Sequence, residues 1–403
     1  MSWNPVLNKV IEVKREYEKH FIDSKATFVE MLKCLNREEY NDIFDCLQIN
    51  QDGDFILIRY GLAEMQSGLW SDPNSIYREC RSVVIDLNNE CLVLTPFRKF
   101  FNLDEVEENK LEVVRKEIES VTRVEIVDKL DGSMQSARWY NGRVFMAGSM
   151  ALNPKDSWRL EDGYSKLTSG HIEMIDFPNA TFIFEYISLK DSHVVKYKKE
   201  DEGLYLIGIR NVLTGGENSY EIIKDLGEAY GIPIAKIESL TLDEVLEKMK
   251  TLPANEKEGW ILNIDGHKIK IKCDDYVNLH RLLDKISSIN VVIKNVAEDR
   301  VDDMLSKIPD LYRARTEKLA KLVIDWKVDT ELVIKNWYWE APREDRKEFM
   351  IWVDNNVPRE LRGYVKQKYL KKPYNVLKKH GGGYKKVADM GIEDRVMEVL
   401  GCE

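Results

Sequence analysis

Nowhere in the 403 residues does an apolar run approach the length that spans a bilayer, about 20 residues. Nor does the chain open on a basic stretch followed by an apolar core and a cleavage site. A membrane protein or a secreted one is therefore not expected. The six cysteines, Cys34, Cys46, Cys80, Cys91, Cys273 and Cys402, are scattered, with no CxxC pair and no zinc spacing. That excludes a disulfide framework and fits free thiols in a reducing cytoplasm. Histidine is scarce, and no two of His20, His171, His193, His267, His280 and His380 stand at metal-ligand spacing. There is no GxxxxGK(S/T) phosphate loop, because Gly381-Gly382-Gly383 has neither the spacing nor the following Lys-Ser. HExxH, GxSxG and a GxGxxG after a strand are missing too. Internal repeats and low-complexity linkers are absent. The net charge of -10 argues against a protein that coats nucleic acid with its whole surface, though it leaves room for local basic patches.

What is present is a soluble globular composition, 43% hydrophobic and 32% charged, on a chain long enough for two domains. Val6, Val10, Val13 and Tyr17 recur on one helical stripe, and residues 26–35 predict a second helix. Strand-like runs follow at 54–60, 81–87 and 91–95, the last two joined by an Asn88-Asn89 turn. A charged segment, 103–120, leads to a strand ending at Lys129. Asn141-Gly142 marks a hairpin turn, 152–175 is irregular or partly helical, and strands recur at 181–187, 204–210, 258–264 and 267–272. Helices are predicted at 220–229 and at 241–250, the latter opened by the Thr241/Glu244 capping pattern. Beyond about 277–290 the apolar period changes from two residues to 3.6. The expected architecture is α+β: an N-terminal antiparallel-sheet domain, residues 1–285, followed by an all-α C-terminal domain, residues 286–403.

Several side chains stand where chemistry needs them. Lys129 closes a strand two residues before Asp131 and ahead of the Gly132-Ser133 turn, a stiff base for a projecting amine. Such an amine attacks phosphorus only when unprotonated, so it requires neighbours that lower its pKa. The plain alternative is a surface turn with a Lys–Asp ion pair. Lys268, Lys270 and Lys272 alternate with Ile269 and Ile271, which puts three amines on one face. They are either the wet face of an edge strand or the lining of a polyphosphate cleft that depresses a nearby lysine. Glu185 interrupts an apolar strand, Glu258 precedes Gly259 at a strand start, and Arg81 and Lys99 are cations at strand ends. Each alone is an ordinary surface charge.

Taken in order, Lys129-Leu130-Asp131-Gly132, Phe184-Glu185-Tyr186, Glu258-Gly259-Trp260 and Lys270-Ile271-Lys272 resemble the signature of the covalent nucleotidyltransferases: DNA ligases, RNA ligases and capping enzymes. Glu79-Cys80-Arg81-Ser82, Lys99-Phe100-Phe101-Asn102-Leu103, Asn211 to Tyr220 and the run from Lys270 to His280 narrow the resemblance to the phage-type RNA ligase 1 family, over roughly 55–305. Two departures stand out. Gly often occupies the Ser82 position in that family, and an aromatic residue the Asp275 position.

The resemblance implies an adenylation (nucleotidyltransferase) domain and an ATP-dependent enzyme using Mg2+ or Mn2+. Lys129 would attack the α-phosphate of ATP, expel pyrophosphate and carry AMP. AMP would pass to an RNA 5′-phosphate, and a 3′-hydroxyl would then attack the activated end. Arg81 and Lys99 would hold the triphosphate, Tyr60 and Phe101 seat the nucleotide, and Glu185 bind the ribose. Lys270 and Lys272 would neutralise the α-phosphate, Glu258 would organise metal waters, and Asp302 matches a family metal ligand in looser register. The implied partner is RNA with 5′-phosphate and 3′-hydroxyl ends, broken tRNA among the candidates, and a monomer is expected. The competing readings are a DNA ligase or capping enzyme, which usually follow the Lys270-Ile271-Lys272 strand with an all-β barrel, and an inactive RNA-binding protein of the same fold. Outside the motifs, residues 362–386 hold nine basic residues and no acid, interleaved with Tyr364, Tyr369, Tyr374 and Tyr384. That segment is either a solvated basic surface or an RNA-docking face with tyrosines stacking on bases.

Overall fold

The computed structural model describes residues 2–21, 26–60, 69–70, 72–191, 194–278, 289–305, 310–379 and 383–400. His193, His280, His380, Cys402 and Gly381-Gly382 of the sequence reading lie outside them, as does the expected boundary at 285/286. By compactness the chain divides into Met1–Val277 and Asn278–Glu403.

The first unit holds three four-stranded sheets. One is the antiparallel meander β1 (Leu47–Asp52), β2 (Phe55–Tyr60), β3 (Arg81–Asp86) and β4 (Cys91–Leu94). Its middle strands read as continuous apolar runs because both faces are covered. Ile56, Ile58, Val83 and Ile85 pack under the N-terminal helices, while Leu57 and Val84 face Phe145 and Ala147. The first helix, α1 (Pro5–His20), begins where the Asn4 side chain accepts from Val6 N and Leu7 N at 2.9 and 3.0 Å, and it buries the expected stripe of Val6, Val10, Val13 and Tyr17. Each such side chain contributes about 1.5–3 kcal/mol by leaving water.

A second sheet orders β10 (Gly203–Asn211), β9 (Ala180–Ile187), β7 (Ser133–Tyr140) and β8 (Arg143–Ala147). Asn141 and Gly142, at φ 51° and 77°, make the tight β7–β8 turn that this dipeptide favours. The third sheet orders β5 (Phe101–Asn102), β12 (His267–Lys272), β11 (Gly259–Ile264) and β6 (Val124–Lys129), with β5 parallel to β12 and the other pairs antiparallel.

Two segments differ from expectation. Residues 103–120 contain a helix, α4 (Leu111–Ser120), on which Val114 is the one buried side chain, so no stripe advertised it. Residues 38–52, which no pattern assigned, form α3 (Glu38–Phe44) and β1, whose polar sequence LQINQD leaves every side chain at least partly exposed. Residues 152–175, expected to be irregular or partly helical, carry helices at Trp158–Ser165 and Ser169–Ile175.

In the second unit every regular element among the described residues is a helix, and among the described residues of the chain no helix is long and apolar enough to cross a membrane. Its core gathers Val292, Ile293, Val323, Ile334, Phe349, Val353 and Val365. The tyrosines of the basic segment belong to this core rather than to a stacking surface. Tyr364 is buried and donates to Lys378 O at 3.1 Å, and Tyr369 stacks on Phe349 with centroids 4.0 Å apart. Tyr374 and Tyr384 pack against the same cluster, Tyr384 also hydrogen-bonding Glu298. Lys371, Lys372, Lys378 and Lys379 remain exposed.

Candidate active site

Register in the third sheet builds the centre of the site. Gly259 is the cross-strand partner of Lys129 on one side and of Lys272 on the other. The preceding residue, Glu258, therefore reaches both amines: its Oε2 lies 2.7 Å from Lys129 Nζ and its Oε1 2.9 Å from Lys272 Nζ. Only glycine serves at 259. Its φ is +150°, and an added Cβ would sit 2.1 Å from the Ile271 carbonyl oxygen.

The second sheet supplies the opposite wall. Glu185 on β9 faces Met134 on β7, and its Oε1 accepts from Gly132 N at 3.1 Å. A side chain at 132 would strike Tyr186 O at 2.5 Å and the Glu185 side chain itself. Asp131 locks the turn: its Oδ2 accepts from Val194 N and Val195 N at 2.8 and 3.0 Å, and its Oδ1 from the Tyr276 hydroxyl at 3.0 Å. Asp131 N in turn donates to the Tyr197 hydroxyl at 2.8 Å. Asp131 is thus a positioning residue for Lys129, and Asp275, the departure from the family pattern, accepts from Ala254 N at 2.8 Å and fixes the segment that carries Tyr276.

Between these walls lies a cavity of about 150 Å³. Arg81, Lys129, Glu185, Lys268, Lys270 and Lys272 supply its polar lining, and Phe97, Phe100, Ile207 and Ile261 its apolar one. The three alternating lysines do share one face, with Ile269 and Ile271 buried behind them. Lys268 is paired with Glu217, whereas Lys270 rests 4.7 Å from the Phe100 ring centre. Burial, reinforced by Arg81, Lys99, Lys129 and Lys272, holds the Lys270 amine well below its ordinary value. Lys129 behaves in the opposite way. Burial pushes its amine down, but Glu258 and Glu185 outweigh burial and keep it above the ordinary lysine value. The depressed amine of the cluster is Lys270, not the expected nucleophile. Burial also raises the Glu185 carboxyl to about 7, although Lys129 and Arg81 pull it back.

Of the residues predicted from sequence, Arg81, Lys129, Glu185, Glu258, Lys270 and Lys272 meet here. Ser82, at φ 66°, occupies the left-handed conformation that glycine favours, and its hydroxyl donates to Ser149 O at 2.6 Å. Tyr60, Lys99 and Phe101 form a neighbouring cluster instead. The Lys99 amine lies 5.1, 4.8 and 5.4 Å from the ring centres of Tyr60, Trp70 and Phe101. The ring that lines the cavity is Phe100, one residue earlier. Asp302 belongs to the second unit, exposed on the helix Val301–Leu305.

Sequence reasoning missed Phe100, Asp131, Tyr197, Tyr276 and Trp70 as contributors. Asp131 alone had a signal, its fixed spacing from Lys129. Among the described residues no group of three or more His, Cys, Asp or Glu side chains can hold a metal ion. A hydrated Mg2+ needs less, one or two carboxylates plus substrate phosphates, and Glu258, beside the Lys129 and Lys272 amines, could supply such a carboxylate.

Arg210 donates to Glu79 at 2.8 Å and to Pro96 O at 2.8 Å, tying the β3 entrance to β10.

The chain is similar to several known proteins. A family described as RNA ligase matches residues 79–276. RNA ligase 1 of bacteriophage TS2126 is 24% identical over 287 residues, 66% of this chain and 67% of that protein. A putative bifunctional polynucleotide kinase/RNA ligase of Autographa californica nuclear polyhedrosis virus is 24% identical over 254 residues, 58% of this chain, and the match spans 35% of its length. Among solved structures, an archaeal ATP-dependent RNA ligase superposes with a TM-score of 0.46 at 13% identity, covering 90% of this chain and 99% of that one. Naegleria gruberi RNA ligase with PPi gives 0.33 at 16% identity, covering 42% of this chain and 55% of that one. Residues 79–276, the stretch that matches the family described as RNA ligase, contain every cavity-lining cation and both carboxylates described above.

Proposed function

We propose that the chain joins RNA ends in three steps, using ATP and a divalent cation, with Lys129 as the nucleophile. One observation carries the reading: a single buried carboxylate, Glu258, bridges the Lys129 and Lys272 amines on the rim of a cavity that has both polar and apolar walls. Glu258 holds Lys129 charged and immobile until nucleotide arrives. A bound divalent ion would neutralise phosphate charge, and Glu258 would hold its waters. The triphosphate draws Lys272 and Lys270 toward its α-phosphate, where negative charge builds in the transition state. Phe100 and the apolar wall receive the base, and Glu185 accepts from the ribose hydroxyls. Lys129 first gives up one proton, through Glu258 or to water; its lone pair then forms the P–N bond as the bond to pyrophosphate breaks, and the second proton leaves by the same route.

The helical second unit favours this reading over a DNA ligase or capping enzyme, whose usual second domain is an all-β barrel. The exposed lysines Lys371, Lys372, Lys378 and Lys379 are assigned to RNA phosphates, without stacking by the tyrosines. Broken tRNA is the proposed natural substrate, and the enzyme acts as a monomer in the cytoplasm. A sealing assay tests this reading. The protein should seal 5′-phosphorylated RNA with ATP and magnesium, and Lys129→Arg should seal only RNA that already carries 5′-adenylate. Efficient sealing of nicked duplex DNA with no activity on RNA would overturn it.

A further inference from the structure

Lys129 and Glu258 both stand at strand ends, where a backbone ladder holds least. Lys129 is the last residue of β6, and Glu258 lies one residue before β11 begins. A second ion cluster, which no step above uses, ties the same two ends together through the preceding residues, Asp128 and Lys257. The Lys257 amine lies 2.5 Å from Asp128 Oδ1 and 3.0 Å from Glu238 Oε1. Its third neighbour is the Trp260 ring, centred 5.1 Å away, whose indole N–H donates to Glu238 Oε2 at 3.1 Å. Trp260 is in turn the cross-strand partner of Asp128. Glu238 comes from a segment that pairs along the outer edge of β6: Asp128 N donates to Lys236 O and Glu238 N to Ile126 O, each at 2.8 Å. The cluster reverses the charges of the site. One amine sits between two carboxylates, where the site has one carboxylate, Glu258, between two amines.

Such a cluster is a poor device for stability alone. The Lys257 and Glu238 side chains are only 14 and 15% exposed, and apolar side chains of the same volume often match or better a buried ion pair. Charge-assisted contacts to three separate elements give what apolar packing does not, one orientation. We infer that Lys257 is a positioning residue for self-adenylylation, an inference that rests on the ligase reading. Through one peptide unit it sets Glu258, and through Asp128 it sets Lys129, so that the amine and the carboxylate that holds it meet the nucleotide in register. Lys257 and Glu238 do not line the cavity, so they act through their neighbours and not by contact with ATP. Displacing a reacting group by about 1 Å from a distance can cost roughly a hundredfold in rate, so a loosened clamp has a measurable effect.

The test uses the full chain. Enzyme–AMP formation is followed over a range of ATP concentrations in wild type, Lys257→Met, Lys257→Arg and Asp128→Asn. Sealing of RNA that already carries 5′-adenylate is followed in the same preparations. At saturating ATP, Lys257→Met should form enzyme–AMP at least about tenfold more slowly, with the half-saturating ATP concentration changed less than about twofold. Asp128→Asn, which keeps the shape and loses one charge, should slow in the same way by a smaller factor. Lys257→Arg, whose guanidinium can serve both carboxylates, should restore most of the rate. Sealing of the adenylylated RNA, in which Lys129 makes no bond, should change less than about threefold in every variant. Wild-type adenylylation in Lys257→Met, or in Asp128→Asn where the first variant does not fold, would overturn the assignment. So would an equal loss in sealing of the adenylylated RNA, or weaker ATP affinity at an unchanged maximal rate. Failure of the wild type itself to form enzyme–AMP would instead overturn the ligase reading.

Discussion

Replacing Glu258 with Gln removes the carboxylate that lies 2.7 Å from Lys129 Nζ and 2.9 Å from Lys272 Nζ while keeping its shape. At an effective dielectric near 20, opposite unit charges at such a separation attract by about 6 kcal/mol, an upper bound. Sharing with Lys272 and relaxation around the cavity reduce that figure, and at least about 1.4 kcal/mol, one pKa unit, should remain. Burial already pushes the Lys129 amine down, and Glu258 is the largest influence opposing it. The sign is therefore fixed: in Glu258→Gln the Lys129 pKa falls, and more of the free amine is present at neutral pH. Trace acetylation across a neutral-to-alkaline pH range, read by peptide mass spectrometry at Lys129, measures the shift. Self-adenylylation should still slow, because an amide holds metal waters and protons poorly. The substitution also leaves two amines without their buried partner, which costs on the order of 3–5 kcal/mol, so labelling is compared at temperatures where circular dichroism shows both proteins folded. An acetylation midpoint that stays put or moves up would refute the idea that Glu258 sets the state of the nucleophile.

Burial pushes the Glu185 carboxyl up to about 7 from an ordinary 4.5, so the folded state binds its proton more tightly. Its contribution to stability is present below about 4.5 and lost as pH rises through 7, up to about 3 kcal/mol, and Glu185→Gln should flatten that part of a pH–stability curve. Because the charged form accepts from ribose, ATP affinity by calorimetry should rise through neutral pH in the wild type and stay flat in Glu185→Gln. Gly259→Ala sets a Cβ 2.1 Å from a backbone oxygen that cannot rotate aside, and urea denaturation should show a loss of at least about 2 kcal/mol together with lost adenylylation. Changing Lys371, Lys372, Lys378 and Lys379 to Glu should weaken RNA binding and flatten its salt dependence by roughly 0.7 log units per lost phosphate contact, while self-adenylylation stays near normal. Equal slopes would remove that surface from RNA binding.

The strands were legible because their apolar runs and turn residues leave little choice: the Asn141-Gly142 turn, the β11–β12 hairpin and the α1 stripe all stand where pattern places them. Segments held by few buried groups were not legible. Helix α4 rests on Val114 and on Asp104, whose carboxylate accepts from Leu111 N at 2.9 Å, and β1 gains its place by pairing with β2 rather than by its own polar residues. At the site, spacing along the chain singled out Arg81, Lys129, Glu185, Glu258, Lys270 and Lys272, which the fold brings together. It did not give their pairings, which depend on register across β6, β11 and β12. For that reason Lys129 was expected to be depressed by nearby lysines, and its carboxylate neighbours instead hold it up. Phe100 and Phe101 could not be told apart in sequence, since the short strand at Phe101–Asn102 decides which ring turns into the cavity. The basic segment misled in a different way. Tyr364 and Tyr369 look like stacking platforms in sequence, yet they serve the core between the helices.

The central claim is that Lys129 carries AMP covalently. Intact-mass measurement after incubation with ATP and magnesium, followed by peptide mapping, addresses it directly. The wild type should gain one AMP located on Lys129, and Lys129→Arg should gain none. AMP on another residue, or a wild-type protein that stays unmodified while ATP is bound, would contradict the account.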